Sequence, residues 1–286
     1  MTTHATSSAP PSDTAALRQP GPGLVPLGPA RTALFHALDD LFTQLAAQVE
    51  APAVVGPPLL PAEGLARLDY FRNFPHLGVS AGRFTEEGID GLAAGSAPAD
   101  VSLAATGYML PSATCYGLLL SLEGQEVGAG QRLTSVGRCF RNETHYDGLR
   151  RLWGFHMREV IYLGTSQGAA EHLAASKEFI TALAADLGVE LSYEPANDPF
   201  YDKTGSRAKL MALDPVKYEF LAKDGTAIAS VNRHRNFFGE RLGITTEGAT
   251  AHSSCTAFGV ERWVHAMELT YGSAESALAR LRDVRG

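Results

Sequence analysis

The sequence lacks the features that would place the protein in a membrane or outside the cell. No apolar run approaches the roughly 20 residues that cross a bilayer. The first 23 residues, MTTHATSSAPPSDTAALRQPGPG, have neither a basic start nor an apolar stretch, so we expect no secretory leader. The chain has only three cysteines, and they are widely spaced. This excludes a disulfide framework and favours a cytoplasmic protein with reduced thiols.

Positive charge is also scarce. The 286 residues include 24 Lys and Arg against 31 Asp and Glu, for a formal net charge of −7. Such a balance argues against broad neutralisation of nucleic-acid phosphates. Neither a Walker-type phosphate loop nor a GxGxxG turn is present, so a nucleotide would have to be held in another way.

The chain is predicted to form one domain behind a tail. Residues 1–28 are rich in Ala, Ser, Thr, Pro and Gly and cannot bury enough apolar surface to become ordered. Residues 29–286, by contrast, have the mixed apolar and polar pattern of a globular domain. We therefore expect a flexible tail over residues 1–28 and a single globular domain over residues 29–286.

The hydrophobic pattern predicts an α+β fold. Leucines recur at spacings of four and three from Arg31 to Gln48, which indicates an amphipathic helix. Further helices are predicted over residues 111–120, 166–187 and 258–271. Strands are predicted over residues 101–109, 131–140, 152–163, 219–222 and 226–231. The order favours antiparallel strands with helices packed against them.

One segment, residues 136–163 (VGRCFRNETHYDGLRRLWGFHMREVIYL), has a composition suited to ATP chemistry. A fixed guanidinium such as Arg141 can neutralise charge that gathers on an α-phosphate under attack by a carboxylate. Glu143 can accept a hydrogen bond from the adenine amino group, and Phe155 can stack on the ring. A surface hairpin with an ion pair would explain these residues alone equally well.

A second segment begins at Cys255 and continues into a predicted helix through Gly259, Glu261 and Arg262. An arginine near the start of a helix, preceded by glycine, suits contact with the far phosphates of ATP. Alone this is a weak signal.

Together the two segments resemble motifs 2 and 3 of the class II aminoacyl-tRNA synthetases: an FRNE strand with a GLxRxxGF return, followed by a GxER helix. Within that superfamily the chain is most similar to the amino acid:carrier protein ligases, relatives of archaeal-type seryl-tRNA synthetases that lack the tRNA-binding arm. Five further blocks carry the resemblance, at residues 56–61, 69–77, 110–116, 196–201 and 229–232. The resemblance implies the class II catalytic fold, an antiparallel β-sheet flanked by helices.

The resemblance also implies an ATP site with Arg141 and Arg262 as its catalytic residues. The residues expected to bind ATP are Arg141, Glu143, Arg151, Leu152, Phe155, Glu219, Thr226, Ala227, Ile228, Ala229 and Arg262. Mg²⁺ is expected to arrive with ATP. Ala227 is a departure, because seryl-tRNA synthetases carry Glu there, and this leaves Glu219 as the nearby carboxylate for the metal.

The family holds a zinc ion, and the matching ligands here are Cys115, Glu159 and Cys255, with one ion expected per subunit. Two thiolates and a carboxylate suit Zn²⁺ and leave one coordination position open. The resemblance implies that the α-amine of the substrate takes that position, so that Glu159 also belongs to the amino-acid site. Without the resemblance, both cysteines would be interpreted as buried apolar thiols. Among nine histidines, His252 is the candidate for a contact with this site, because it lies three residues before Cys255.

The expected activity is ATP-dependent formation of an aminoacyl-adenylate from a small amino acid, glycine or alanine. The aminoacyl group then passes to the phosphopantetheine thiol of an acyl or peptidyl carrier protein. Two alternatives stay open: a reduced, seryl-like synthetase that charges tRNA, and a non-catalytic paralogue. The acidic balance and the lack of sequence for an RNA-binding arm make tRNA the less favoured acceptor. A homodimer is expected through a motif 1 region within residues 31–77. Basic side chains for docking the carrier are sought among Arg132, Arg150 and Arg158.

Overall fold

The computed structural model describes residues 17–196, 201 and 215–285. Its helices are α1 (Pro29–Gln48), α2 (Ala62–Arg67), α3 (Tyr70–Asn73), α4 (Glu86–Ala93), α5 (Cys115–Ser121), α6 (Ser166–Asp186), α7 (Phe237–Leu242), α8 (Val260–Tyr271) and α9 (Ala274–Arg285). Its longer strands are β2 (Val79–Phe84), β3 (Leu103–Leu110), β4 (Gly130–Phe140), β5 (Gly154–Gly164), β6 (Leu191–Pro195), β7 (Lys217–Ala222), β8 (Ala227–Arg235) and β11 (His252–Gly259). The two-residue strands are β1 (Leu60–Pro61), β9 (Thr245–Thr246) and β10 (Ala249–Thr250). None of the helices within the described part of the chain is long and apolar enough to cross a membrane.

Six strands form the central sheet, in the order β4-β5-β11-β8-β7-β6. Every neighbouring pair in it is antiparallel. The predicted α+β class, with an antiparallel sheet flanked by helices, is therefore confirmed. A smaller three-stranded sheet, in the order β1-β3-β2, lies outside it.

Helices α1, α6 and α8 cover one face of the central sheet, and α9 packs on α1 and α8. Their buried apolar side chains form the main core together with strand residues such as Phe258. The rings of Phe42 and Phe258 stack at 4.4 Å, and Trp263 beside them has no exposed surface. On the opposite face, α5 and α7 pack against the central strands in a second, smaller core cluster that includes Ile161, Phe238 and Cys255.

Strand β11 divides its side chains between these two faces. Ser254 and Thr256 hydrogen-bond to α6, at the Ala169 carbonyl and the Ser176 hydroxyl, respectively. Cys255 and Ala257 point to the other face and line a cavity there. Alternate residues of a strand face opposite ways, so this division follows from the backbone alone.

The helix predicted over residues 258–271 begins later, at Val260, and the small-residue stretch before it is the central strand β11. A strand buried on both faces shows no alternation of apolar and polar residues, which is why the pattern did not indicate it. The helix predicted over residues 111–120 likewise begins only at Cys115. Before it, the Pro111 carbonyl accepts a hydrogen bond from the amide of Phe140 at the end of β4.

Part of the predicted tail lies against the domain. Residues 1–16 are outside the described range, whereas Val25 and Leu27 pack on the main core. The carbonyl of Gly23 accepts a hydrogen bond from the amide of Trp153 at 3.0 Å. The chain is thus held to the domain before α1 begins at Pro29.

Candidate functional site

The three residues predicted to bind zinc come from three elements. Cys115 is the first residue of α5, Glu159 lies on β5 and Cys255 lies on β11. Because β5 and β11 are paired with Ala257 opposite Glu159, the glutamate and Cys255 share one face of the sheet. The two thiol sulfurs and a carboxylate oxygen all lie within 4.8 Å of one another, and all three residues are buried. The fold therefore gathers three buried side chains of the kinds that bind metal ions.

The acids in this cluster perturb each other. Burial raises the pKa of Glu159 well above its usual value, and the neighbouring charge of Cys255 adds to the effect. A hydrogen bond with Cys255, together with burial, raises the pKa of the Cys115 thiol. A hydrogen bond with Cys115 lowers the pKa of the Cys255 thiol. Contacts with His234 and Asn232 lower it further. A cluster of three acids at such close range is suited to a divalent cation, and two thiols with a carboxylate are ligands that zinc accepts. The residues present therefore fit the ion that the resemblance implies.

The side chains that contact Cys255 come from β8. Asn232 lies opposite Cys255 in the strand ladder and donates to Sγ from Nδ2 at 3.4 Å. His234 places Nε2 3.5 Å from the same sulfur. In the described part of the chain, no hydrogen bond links His252 to the cluster. The histidine that contacts the site is therefore His234, 21 residues from Cys255 in the sequence, and not its near neighbour His252.

A cavity of about 420 Å³ opens beside the cluster. Cys115, Glu159 and Cys255 line it together with Arg141, which follows the last residue of β4. Arg141 is held by a bond from Nε to the Ser112 carbonyl at 3.1 Å, and its guanidinium lies 5.1 Å from the centre of the Phe155 ring. The cavity can thus bring a ligand that contacts the cluster within reach of a fixed cation.

Five of the expected ATP residues line a second, smaller cleft: Glu143, Arg151, Leu152, Phe155 and Arg262. Within it, Nη1 of Arg151 lies 2.6 Å from a carboxylate oxygen of Glu143. Because Phe155 lines this cleft and also packs against Arg141, the cleft and the larger cavity adjoin each other. Motifs 2 and 3, which are separate in the sequence, therefore line the same small cleft.

Arg262 is fixed by two backbone carbonyls. Its Nε donates to the carbonyl of Arg150 and its Nη1 to that of Ala227, each at 2.9 Å. Burial, with a contribution from the charge of Arg141, lowers the pKa of Arg262 to about 10. The side chain therefore stays a cation at neutral pH. These bonds set the direction of the guanidinium before any ligand arrives.

The other expected ATP residues do not line the smaller cleft. Ala227 contacts Arg262 through its carbonyl, while Ile228 and Ala229 bury their side chains in the main core. Contact of those two with a ligand would therefore be through the backbone. Thr226 is buried at the turn before β8, where its amide donates to Asp224. Glu219 lines neither cavity among the described residues, and its carboxylate lies 3.0 Å from Nζ of Lys217.

One contact between the two motifs has no signal in the sequence. Glu261 accepts hydrogen bonds from the amide of His156 at 2.8 Å and pairs with its ring at 2.7 Å. This links β5 to the first turn of α8, beside Arg262. The partners are 105 residues apart, and no local pattern signals such a pairing.

Comparison with known proteins supports the family that motifs 2 and 3 resemble. The chain is 31% identical over 280 residues to amino acid–acyl-carrier-protein ligase 1 of Bradyrhizobium diazoefficiens, covering 90% of this chain and 84% of the relative. It is 32% identical over 268 residues to ligase 2 of the same organism, covering 85% and 77%. No protein-family model matches the chain.

Among solved structures, the chain superposes on M. kandleri seryl-tRNA synthetase, determined in complex with A. aeolicus tRNASec, with a TM-score of 0.79. The identity is 21%, and the match covers 92% of this chain and 57% of the synthetase. The fold is therefore that of a class II aminoacyl-tRNA synthetase catalytic core. Within that class, the chain belongs to the amino acid–acyl-carrier-protein ligase family.

Proposed function

We propose that the protein activates a small amino acid, glycine or alanine, with ATP and transfers it to the phosphopantetheine thiol of a carrier protein. The observation that carries this proposal is the position of Arg141, which lines the same cavity as Cys115, Glu159 and Cys255 and packs on Phe155 of the adjoining cleft. The likeness to two amino acid–acyl-carrier-protein ligases supports the choice of acceptor. We also propose that the protein is cytoplasmic, because its three cysteines are widely spaced, and that it is a homodimer, as the resemblance to class II synthetases implies.

In the first step, a carboxylate oxygen of the amino acid attacks the α-phosphorus of ATP. The bond from that phosphorus to the bridging oxygen breaks, and pyrophosphate leaves. Arg141 binds the carboxylate and the α-phosphate together and neutralises charge that develops between them, while Arg262 binds the far phosphates. Glu143 and Phe155 hold the adenine, with Arg151, Leu152 and the backbone of residues 226–229 around the nucleotide. Glu219 is the proposed carboxylate near Mg²⁺.

Cys115, Glu159 and Cys255 would hold one zinc ion per subunit. When bound, the ion supplies a Lewis-acid position for the α-amine of the amino acid. The buried carboxylate of Glu159 fixes the end of the cavity where that amine lies. This arrangement selects a free amine and directs the carboxylate towards Arg141.

In the second step, the sulfur of the phosphopantetheine thiol attacks the carbonyl carbon of the adenylate. The bond from carbon to the phosphate oxygen breaks, AMP leaves, and the thiol proton passes to solvent. No protein nucleophile is required, because the adenylate is already activated and the chain needs only to position it.

The first test is amino-acid-dependent exchange of pyrophosphate into ATP across the standard amino acids, with metal analysis of the same sample. We expect exchange with glycine or alanine and one zinc per subunit. The second is acylation of a holo-carrier protein, with the apo-carrier that lacks the thiol as the control. Exchange without transfer to any holo-carrier would refute the proposed acceptor, and absence of exchange would favour a non-catalytic paralogue.

A second candidate is tRNA charging, favoured by the superposition on a seryl-tRNA synthetase solved with a tRNA. It is tested with total tRNA and serine in place of the carrier protein. Efficient charging of tRNA would replace the proposed function.

A further inference from the structure

The two cysteines of the cluster have different surroundings. The sulfur of Cys255 is contacted by two nitrogen donors of β8, Nδ2 of Asn232 at 3.4 Å and Nε2 of His234 at 3.5 Å. Cys115, at the start of α5, has its amide bonded to the carboxylate of Glu159. The fold thus aims polar side chains from one strand at a single sulfur.

The backbone at His234 is irregular in a way that serves this contact. The register between β11 and β8 pairs Ser254 with Arg233 and Ser253 with Arg235, so His234 is an extra residue between two ladder pairs. Arg235 has a φ of 56°, a left-handed backbone conformation that residues other than glycine rarely adopt. Bulges of this kind redirect a side chain and are common beside functional sites.

In the proposed zinc-bound state Cys255 is a thiolate, and this fixes which ring nitrogen of His234 carries the proton. A thiolate has no hydrogen to give, so in the contact with Cys255 the donor has to be Nε2–H of His234. Nδ1 then accepts a hydrogen bond from the hydroxyl of Ser253, 3.1 Å away. Ser253 is almost fully buried, which protects this bond from exchange with water. The ring also packs edge-on against Phe238, with ring centres 4.9 Å apart.

We propose that His234, together with Asn232, is a positioning residue that holds Cys255 in place as a zinc ligand by donating hydrogen bonds to its sulfur. The inference rests on the proposed zinc site. A divalent ion bound by two thiolates and a carboxylate is a buried anionic unit, and burial of such charge is costly unless donors surround it. Partners of this kind orient metal ligands and typically change metal affinity about 10- to 100-fold when they are removed.

The main test compares two substitutions at the same position. His234→Phe keeps a ring against Phe238 but removes the donor, and we expect it to weaken zinc binding about 10- to 100-fold. His234→Gln keeps an N–H donor on a side chain of similar reach, and we expect it to recover a large part of the affinity. Affinity is measured by competition with a chromophoric zinc chelator, and the secondary structure of each variant is compared by circular dichroism.

The matched control is His252→Phe, the same change on the neighbouring strand. Its zinc affinity is expected to equal that of the unchanged protein. A second readout is the thiolate-to-metal charge-transfer band of the cobalt-substituted protein. Loss of a hydrogen bond raises the energy of the sulfur lone pairs, so the band should move to longer wavelength in His234→Phe and stay near its original position in His234→Gln. A merely structural role would not shift this band.

Equal zinc affinity and an unshifted cobalt band in His234→Phe would overturn the inference while leaving the zinc site intact. Equal losses in His234→Phe and His234→Gln would also overturn it, because the donor would then be irrelevant. Absence of zinc binding by the unchanged protein would overturn the metal site itself, and the inference with it.

Discussion

Arg158 and Asp39 form an ion pair whose removal should strongly destabilise the protein. The guanidinium of Arg158 on β5 binds both carboxylate oxygens of Asp39 on α1, one of them at 2.7 Å, and also reaches the hydroxyl of Thr134. Only 7% of the Arg158 side chain and 18% of the Asp39 side chain are exposed. Arg158→Met leaves a largely buried carboxylate without its partner.

The expected cost is about 3 to 5 kcal/mol, the usual loss when one member of a buried pair is removed. For a domain of this size, roughly 2 °C of melting temperature corresponds to 1 kcal/mol, so the melting temperature should fall by about 6 to 10 °C. In contrast, Asp39→Leu combined with Arg158→Met replaces both charges by apolar groups, and the double variant should be less destabilised than either single one.

The assay is urea unfolding at one protein concentration for the two single variants and the double variant. The control is Arg67→Met, which breaks a bidentate pair with Glu123 whose side chains are 46% and 44% exposed. That change should cost about 1 kcal/mol or less. If the double variant lost the sum of the two single losses, or if Arg158→Met cost no more than Arg67→Met, the argument from burial would be refuted.

Three further predictions concern the site and the core beneath it. Cys255→Ala should lose zinc and amino-acid activation together, and unchanged stoichiometric zinc by metal analysis would show that the ligand set is wrong. Arg262→Lys should reduce pyrophosphate exchange by about 10²- to 10³-fold, because an ammonium cannot bond both backbone carbonyls and still present a fork to the phosphates; circular dichroism should be unchanged. Burial lowers the pKa of His172 from 6.5 to about 4, so the unfolded chain takes up a proton before the folded one does. The free energy of unfolding should therefore fall as the pH falls from about 6.5 to about 4. Urea unfolding at several pH values should show a smaller fall in His172→Gln.

The three arginines considered for docking a carrier protein differ in how exposed they are in the structure. Arg158 is buried in its pair with Asp39 and cannot meet a carrier protein. Arg132 lies over the ring of Tyr162, and its Nε is buried. Arg150 is partly exposed and pairs with Asp147 and Asp224. A sequence shows that a residue is charged, but its exposure depends on elements far away in the chain.

Contiguous residue types are enough to predict the α+β class and to locate motifs 2 and 3 along the chain. The amphipathic repeat predicted α1 nearly to its ends. The roles that the FRNE and GxER patterns suggest for Arg141 and Arg262 stay predictions, and the structure shows that each residue lines a cavity. The tertiary structure brings Cys115, Glu159 and Cys255 together, because α5, β5 and β11 meet through pairing between segments that are distant in the sequence. It also decided that β11 is a central strand and that His234, rather than His252, contacts the cluster. The physical reason is that register and bulges set which side chains share a face, and local patterns do not specify the partner strand.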